Sequence, residues 1–280
     1  MVCSILPAGG NSMPVISLKI DGLNAYYFVA DVHLGLKVGN PQEREQYFIA
    51  FLEGLGADTA GLFLLGDIFD FWYEYKYVIP RGYTRVLGAL ARVVDRGIPV
   101  HFFPGNHDLW TFGYLEQELG IKVYRNPQYM QLDGKHFLLG HGHRMGHYPF
   151  KNRILHNMFH SRMLQRAFSW LHPRWAFALA GKWSAFNRGK GGAGYVFRGE
   201  EEPVYRYAAA FDKPVDYCIV GHLHTSARWP LPGGGELIVL EDWLSVGDGA
   251  GPVRGDIGVF GGTEQREVQV VKASVVVHPD

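Results

Sequence analysis

Five times along this chain a short apolar run ends on a cluster of Asp, Asn and His. Tyr26 to Ala30 leads into Asp31-Val32-His33, and Leu62 to Leu65 into Gly66-Asp67-Ile68-Phe69-Asp70. Ile98 to Phe103 precedes Gly105-Asn106-His107-Asp108, His136 to Leu139 precedes His141-Gly142-His143, and Tyr217 to Val220 precedes Gly221-His222-Leu223-His224. Amphipathic stretches separate the first three runs. One is Gln42 to Leu55, opened by Pro41 and carrying Phe48, Phe51, Leu52 and Leu55; the other is Tyr83 to Val94, ended by Gly97. This alternation predicts βαβ units and a largely parallel sheet. In open α/β sheets ligands collect outside the carboxyl ends of the strands, so the five polar clusters are expected to converge on one region.

The pattern changes after Asn126. Gln128 to Leu132, Asp133-Gly134 and His136 to Leu139 read as a hairpin. Pro149 to about Arg188 reads as helical, with Phe150, Ile154, Leu155, Met158, Phe159, Leu164, Phe168 and Leu171 at helical spacing and Lys151, Arg153, Arg162 and Arg166 largely off that stripe. A glycine-rich linker closes this insert. A helix near Pro203 to Phe211 and strands at Tyr217 to Val220, Leu237 to Leu240 and Val268 to Val277 are expected beyond it. The domain reading is a loose tail over 1–20 and one domain over 21–280, interrupted by a helical insertion at about 145–195. A chain of 280 residues, 47% hydrophobic and 19% charged, can bury its core without a disulfide staple. Its two cysteines suit a reducing compartment, no apolar run approaches the ~18 residues of a bilayer span, and the N-terminus does not read as a signal peptide.

Charge is uneven. The net is zero from 27 basic and 27 acidic residues, yet Gly134 to Gly199 holds eleven Lys or Arg and no acid. Such a block suits an anionic substrate or an anionic surface; a solvated basic face is the plain alternative.

The clustered residue types are those of a two-metal hydrolase. Carboxylate and amide oxygens with imidazole nitrogens suit Mn²⁺, Fe or Zn²⁺, and no thiolate is among them. D-x-H and H-x-H spacings let alternate side chains of an extended segment point the same way. A carboxylate such as Asp67 can bridge two ions ~3.5–4 Å apart, a clamp suited to in-line phosphoryl displacement.

The order D-x-H, G-D-x-x-D, G-N-H-D, H, G-H-x-H resembles the calcineurin-like metallophosphoesterase superfamily from Tyr26 to about Leu240. The resemblance implies an α/β fold of four layers, an αββα sandwich, here with the helical insertion as a cap. It implies that Asp31, His33, Asp67 and His224 hold one divalent ion, with Asp67 bridging, and that Asn106, His141 and His222 complete a second site. His107, oriented by Asp70, would stabilise charge on the substrate phosphate or protonate the leaving oxygen, and attack would be direct, without a covalent intermediate.

Leu64 to Trp72, the stretch Tyr75 to Leu87 and the insert after His141 are similar to the UDP-2,3-diacylglucosamine diphosphatases of lipid A synthesis, in the Bacteroidetes-type form. That similarity implies a nucleotide-lipid substrate and two divalent ions, most simply Mn²⁺. It also implies a cytoplasmic protein peripheral on the inner face of the inner membrane. The insert's aromatic helices would take the acyl chains, while Lys151, Arg153, Arg162 and Arg166 would meet phosphate. Two positions depart from the pattern: His143 stands where many relatives have Asp, and His107 where proteobacterial ones have Arg. Alternatives are a nuclease, a cyclic-nucleotide phosphodiesterase or another nucleotide pyrophosphatase, and a non-catalytic scaffold. The closed apolar insert argues against a nucleic-acid partner, and the complete ligand set against the scaffold. No oligomeric state follows from the sequence.

Overall fold

Two β-sheets stack face to face in the computed structural model, which describes residues 4–6, 15–17, 24–146, 161–176, 195–244, 255–261 and 267–272. Within the stretch read as a loose tail, β1 (Ser4–Leu6) and β2 (Val15–Ser17) pair antiparallel. The first half then runs β3 (Ala25–Val29), α1 (Pro41–Gly54), β4 (Thr59–Leu64), α2 (Thr84–Asp95), β5 (Val100–Phe102), α3 (Tyr114–Gln117) and β6 (Lys122–Val123). A hairpin follows, β7 (Gln128–Leu132) and β8 (Lys135–Leu139), then α4 (Arg162–Ser169) and α5 (Pro203–Ala209). The chain closes with β9 (Tyr217–Val220), β10 (Ala227–Pro230), β11 (Glu236–Val239), β12 (Asp256–Phe260) and β13 (Gln269–Lys272).

Strands β3, β4, β5 and β6 are parallel, as the alternation predicts, and β12 and β13 extend that sheet antiparallel on the other side of β3. The second sheet runs β10-β11-β9-β8-β7, with β8, β9 and β11 parallel. The hairpin turns on Asp133 (φ 45°) and Gly134 (φ 81°), the left-handed pair that Asp-Gly favours.

Four layers follow from the period-two alternation of the strands. On the outer face of the first sheet, Tyr27, Val29, Leu62, Leu64, Val100 and Phe102 pack under α1 and α2, which contribute Phe48, Phe51, Leu52, Val86, Leu90 and Val93. The intervening residues Phe28 and Phe63 face the second sheet, where Phe137, Leu139, Ile219 and Ile238 meet them. Leu138, Cys218, Val220 and Leu237 point outward again, against Val204, Tyr205 and Ala208 of α5. Phe28 lies beside Phe63 within the first sheet, at 5.0 Å, and stacks across the sheets on Phe137 at 5.7 Å, a contact that sets their spacing.

Strand β12 was not apparent in the sequence, because Gly255, Gly258 and Gly261 make that stretch read as loop. Gly258 pairs with Phe28, and a Cβ there would lie 3.3 Å from the Phe28 Cβ, so glycine marks a close approach rather than a turn. One charged residue belongs to the core of α1. The buried Arg44 guanidinium donates to the carbonyls of His33, Leu36 and Val38, which secures the loop leaving β3.

Phe137 is fully buried between Phe28, Phe260 and Tyr217. Phe137→Ala is expected to lower the unfolding free energy by about 3–5 kcal/mol. Urea titration should show the midpoint falling with an unchanged slope.

Candidate metal centre

The loops at the carboxyl ends of β3, β4, β5, β8 and β9 meet, and short backbone hydrogen bonds join them. Asp31 N donates to Gly66 O at 3.0 Å, His33 N to Asp67 O at 2.9 Å and Gly221 N to His141 O at 3.0 Å. The five clusters therefore converge as the strand ends predict. The backbone route differs from the expectation of extended segments. Asp31 (φ 53°), His33 (φ 48°), Asp67 (φ 51°), His222 (φ 71°) and His224 (φ 50°) all lie in the left-handed region. Left-handed turns, not strand alternation, bring the Asp31/His33 and His222/His224 pairs each to one side. Such conformations cost ~1–3 kcal/mol each and persist where the surroundings hold them.

Both central carboxylates are fully buried and divide their oxygens. Asp31 Oδ2 accepts from the His222 amide at 2.7 Å, and Asp67 Oδ1 from the His107 amide at 2.8 Å. The other two oxygens, Asp31 Oδ1 and Asp67 Oδ2, accept no hydrogen bond, and neither ring nitrogen of buried His33 has a hydrogen-bond partner. His33 Nε2 lies 3.6 Å from Asp31 Oδ1 and 3.9 Å from Asp67 Oδ2, while His141 Nε2 lies 3.3 Å from Asp67 Oδ2. Gly221 permits this closeness, since a Cβ there would sit 2.1 Å from Asp31 Oδ2.

Three histidines have Nδ1 engaged, which leaves Nε2 for a ligand. His141 Nδ1 pairs with the Leu65 carbonyl at 2.9 Å, His224 Nδ1 with the Asp242 carboxylate at 2.7 Å and His107 Nδ1 with the Asp70 carbonyl at 2.8 Å. Asp70 thus orients His107 through its peptide oxygen, its carboxylate standing further off at 3.5 Å. The donor atoms form overlapping groups: Asp31, His33 and His224; Asp31, Asp67 and His141; His33, Asp67 and His107. His222 lies 5.0 Å from His141 between ring centroids, and Asn106 Oδ1 lies 3.3 Å from His141 Nε2. Buried oxygens and a ring nitrogen without partners, aimed at one another, are the set a divalent cation would satisfy. With only O and N donors, they fit Mn²⁺, Fe or Zn²⁺.

The electrostatics agree. Burial opposes a charge on His33, yet Asp31 and Asp70, with Asp67, push its pKa up to about 10. Burial likewise opposes a charge on His141, and Asp67 raises it to about 9. Burial and the neighbouring His141 bring His222 down to about 3. The field at the centre is therefore negative and attracts positive charge.

Two acids without an assigned role in the sequence prove structural to the site. Buried Asp108 accepts from the amides of Asp67, Ile68, Phe69 and Gly105, which pins two loops together; burial and Asp67 push its pKa up to about 7. Asp242 orients His224, and its signal was legible: an acid just beyond the strand Leu237 to Leu240. Of the basic set, Arg166 is exposed on α4. Lys151, Arg153 and the Arg162 side chain lie outside the described residues.

Without a cation the centre at pH 7 carries protons on His33 and His141, and both must leave before those nitrogens can bind metal. Mn²⁺ loading is expected to release about two protons. Apparent affinity should rise with pH, less steeply above the His141 value of about 9, until it passes the His33 value of about 10. Calorimetry in buffers of different ionisation enthalpy checks both, and a pH-independent affinity would contradict this assignment.

The chain is similar to several known proteins. The family model for calcineurin-like phosphoesterases matches residues 26–226. A UDP-2,3-diacylglucosamine hydrolase of Porphyromonas gingivalis is 33% identical over 78% of this chain and 90% of its own length. One of Actinobacillus succinogenes is 27% identical over 78% of this chain and 91% of its own. A dimetal phosphatase from Danio rerio aligns with 91% of this chain and 100% of its own at 15% identity, with a TM-score of 0.43. The chain belongs to the calcineurin-like phosphoesterase family and is a metal-dependent hydrolase.

Proposed function

We propose that this protein hydrolyses the diphosphate of UDP-2,3-diacylglucosamine, giving 2,3-diacylglucosamine 1-phosphate and UMP. The observation that carries the reading is a relative of that activity by name, matched over 90% of its length, joined to a centre suited to phosphoryl transfer. Asp31, His33, Asp67 and His224 would hold one divalent ion; Asp67, Asn106, His141 and His222 would hold a second. Two such ions, taken as Mn²⁺, would supply Lewis acidity and lower the pKa of a bound water.

The chain's own groups do the rest. Asp108 and Asp242 hold the loops and the His224 ring in place. His107, its Nδ1 bound by the Asp70 carbonyl, has Nε2 left to meet the substrate phosphate. Attack at either phosphorus expels a phosphate monoester, whose second pKa is about 6. That group leaves readily as an anion, so His107 serves charge stabilisation more than protonation.

We also infer one catalytic domain over 21–280 with the insertion at about 145–195 as a cap. Lys151, Arg153, Arg162 and Arg166 are its candidates for phosphate. No helix among the described residues is long and apolar enough to cross a membrane. What supports peripheral binding at the cytoplasmic face of an anionic inner membrane is the insert's surface. Trp170 is 91% exposed, Met163 74% and Trp175 65%, beside exposed Arg166 and Arg174 and with no acid in the block.

Mass spectrometry of products in ¹⁸O-water, with Mn²⁺ and UDP-2,3-diacylglucosamine, tests the activity. Turnover should yield UMP and the lipid 1-phosphate and stop with chelator. His107→Ala should lower kcat about 100- to 1,000-fold while metal content holds. Absence of UMP with a simple diester still cleaved would discard the substrate. Separately, co-sedimentation with phosphatidylglycerol vesicles should fall when Trp170 and Trp175 are both replaced by Ser, and also when salt is raised.

A further inference from the structure

Helix α4 touches the core along a narrow stripe. Gln165 and Phe168 are half-buried, whereas Met163, Leu164, Arg166, Ala167, Ser169 and Trp170 are exposed. So little buried apolar surface would hold a helix loosely. Two tyrosines supply what packing does not. Tyr73 Oη donates to the Gln165 carbonyl at 2.9 Å, and Tyr75 Oη to the Leu171 carbonyl at 3.2 Å. Phe168 completes the seat, its ring 5.0 Å from Tyr73 and 4.6 Å from Trp110.

The segment bearing these tyrosines begins at the reaction centre. Asp70 N donates to Leu34 O at 2.9 Å, the Asp70 carbonyl takes His107 Nδ1 at 2.8 Å, and Trp72 N returns to His107 O at 3.2 Å. Glu74 N then donates to Trp110 O at 3.2 Å. Buried Glu74 braces the far end by accepting from Trp72 Nε1 and from the amides of Phe112 and Tyr114. Residues 70–75 form a stiff strut with His107 at one end and the insert at the other.

We propose that Tyr73 and Tyr75 are positioning residues that hold the 162–171 segment at a fixed place relative to His107. Acyl-chain binding on that segment is thereby turned into alignment of the diphosphate at the centre. The proposal rests on the nucleotide-lipid reading above. Its physical basis is that binding energy from non-reacting parts of a substrate raises kcat only when a rigid link passes it to the reacting atoms. The hydroxyls act at the insert end of the strut, while the Asp70–His107 contacts are made by other atoms, so chemistry on a substrate without acyl chains does not need them.

The test compares wild type with the Tyr73→Phe/Tyr75→Phe double variant, both Mn²⁺-loaded, on UDP-2,3-diacylglucosamine and on bis(p-nitrophenyl) phosphate. The expected result is a kcat lowered about tenfold or more on the lipid, with KM nearly unchanged and the soluble diester cleaved as before. Deuterium exchange of the 162–171 amides should quicken in the same variant. Phe168→Ala, made from the insert side, should repeat the split and replaces the double variant if that fails to fold. Equal losses on both substrates, or no loss on the lipid, would overturn the proposal. Wild type active on the diester and silent on the nucleotide lipid would instead overturn the functional reading, and this proposal with it.

Discussion

Two carboxylates, Asp31 and Asp67, sit fully buried at the meeting edge of the sheets, each with one oxygen that no hydrogen bond reaches. Burying like charges together is costly unless positive charge or oriented donors answer them. The surrounding structure provides both. Amides from the opposing motifs take one oxygen of each, and His33 and His141 carry the compensating protons that a cation would displace. Asp108 adds a third buried acid. It is held by four backbone amides, and its raised pKa of about 7 relieves part of the like-charge repulsion.

That arrangement has to be held against backbone strain. Five ligand-type residues in the left-handed region would relax if the loops were free. They are instead locked by the inter-loop hydrogen bonds and by the buried Arg44 guanidinium on three carbonyls. The stack of Phe28 on Phe137 across the sheets fixes how far apart they lie. It therefore fixes how closely His141 and His222, from the second sheet, approach Asp31 and Asp67, from the first. Stability of the inter-sheet core and geometry of the centre are one problem.

The insert is the most chemically distinctive part of the chain. Its acid-free, basic and aromatic character suits a substrate that is anionic at one end and greasy at the other. The aromatic strut gives that surface a defined relation to the reaction centre. Binding far from the phosphorus can then contribute to the chemical step.

Much of this was legible in the sequence because it is local. Period-two and helical spacing marked β3 to β5, α1, α2 and the Asp133-Gly134 hairpin, and the order of the Asp, Asn and His clusters marked the centre. Their residue types alone restricted the metal to one that takes oxygen and nitrogen donors. Tertiary structure decided what depends on approach between distant segments. Strand β12 is hidden in a glycine-rich stretch because its glycine makes room for Phe28. Asp108 and Asp242 gain their importance only from the amides and the ring they meet. His107 is oriented by a peptide carbonyl, which no side-chain identity could announce. Periodicity reports which face of a segment is buried; which atoms come within 3 Å across two packed sheets is set by the packing itself.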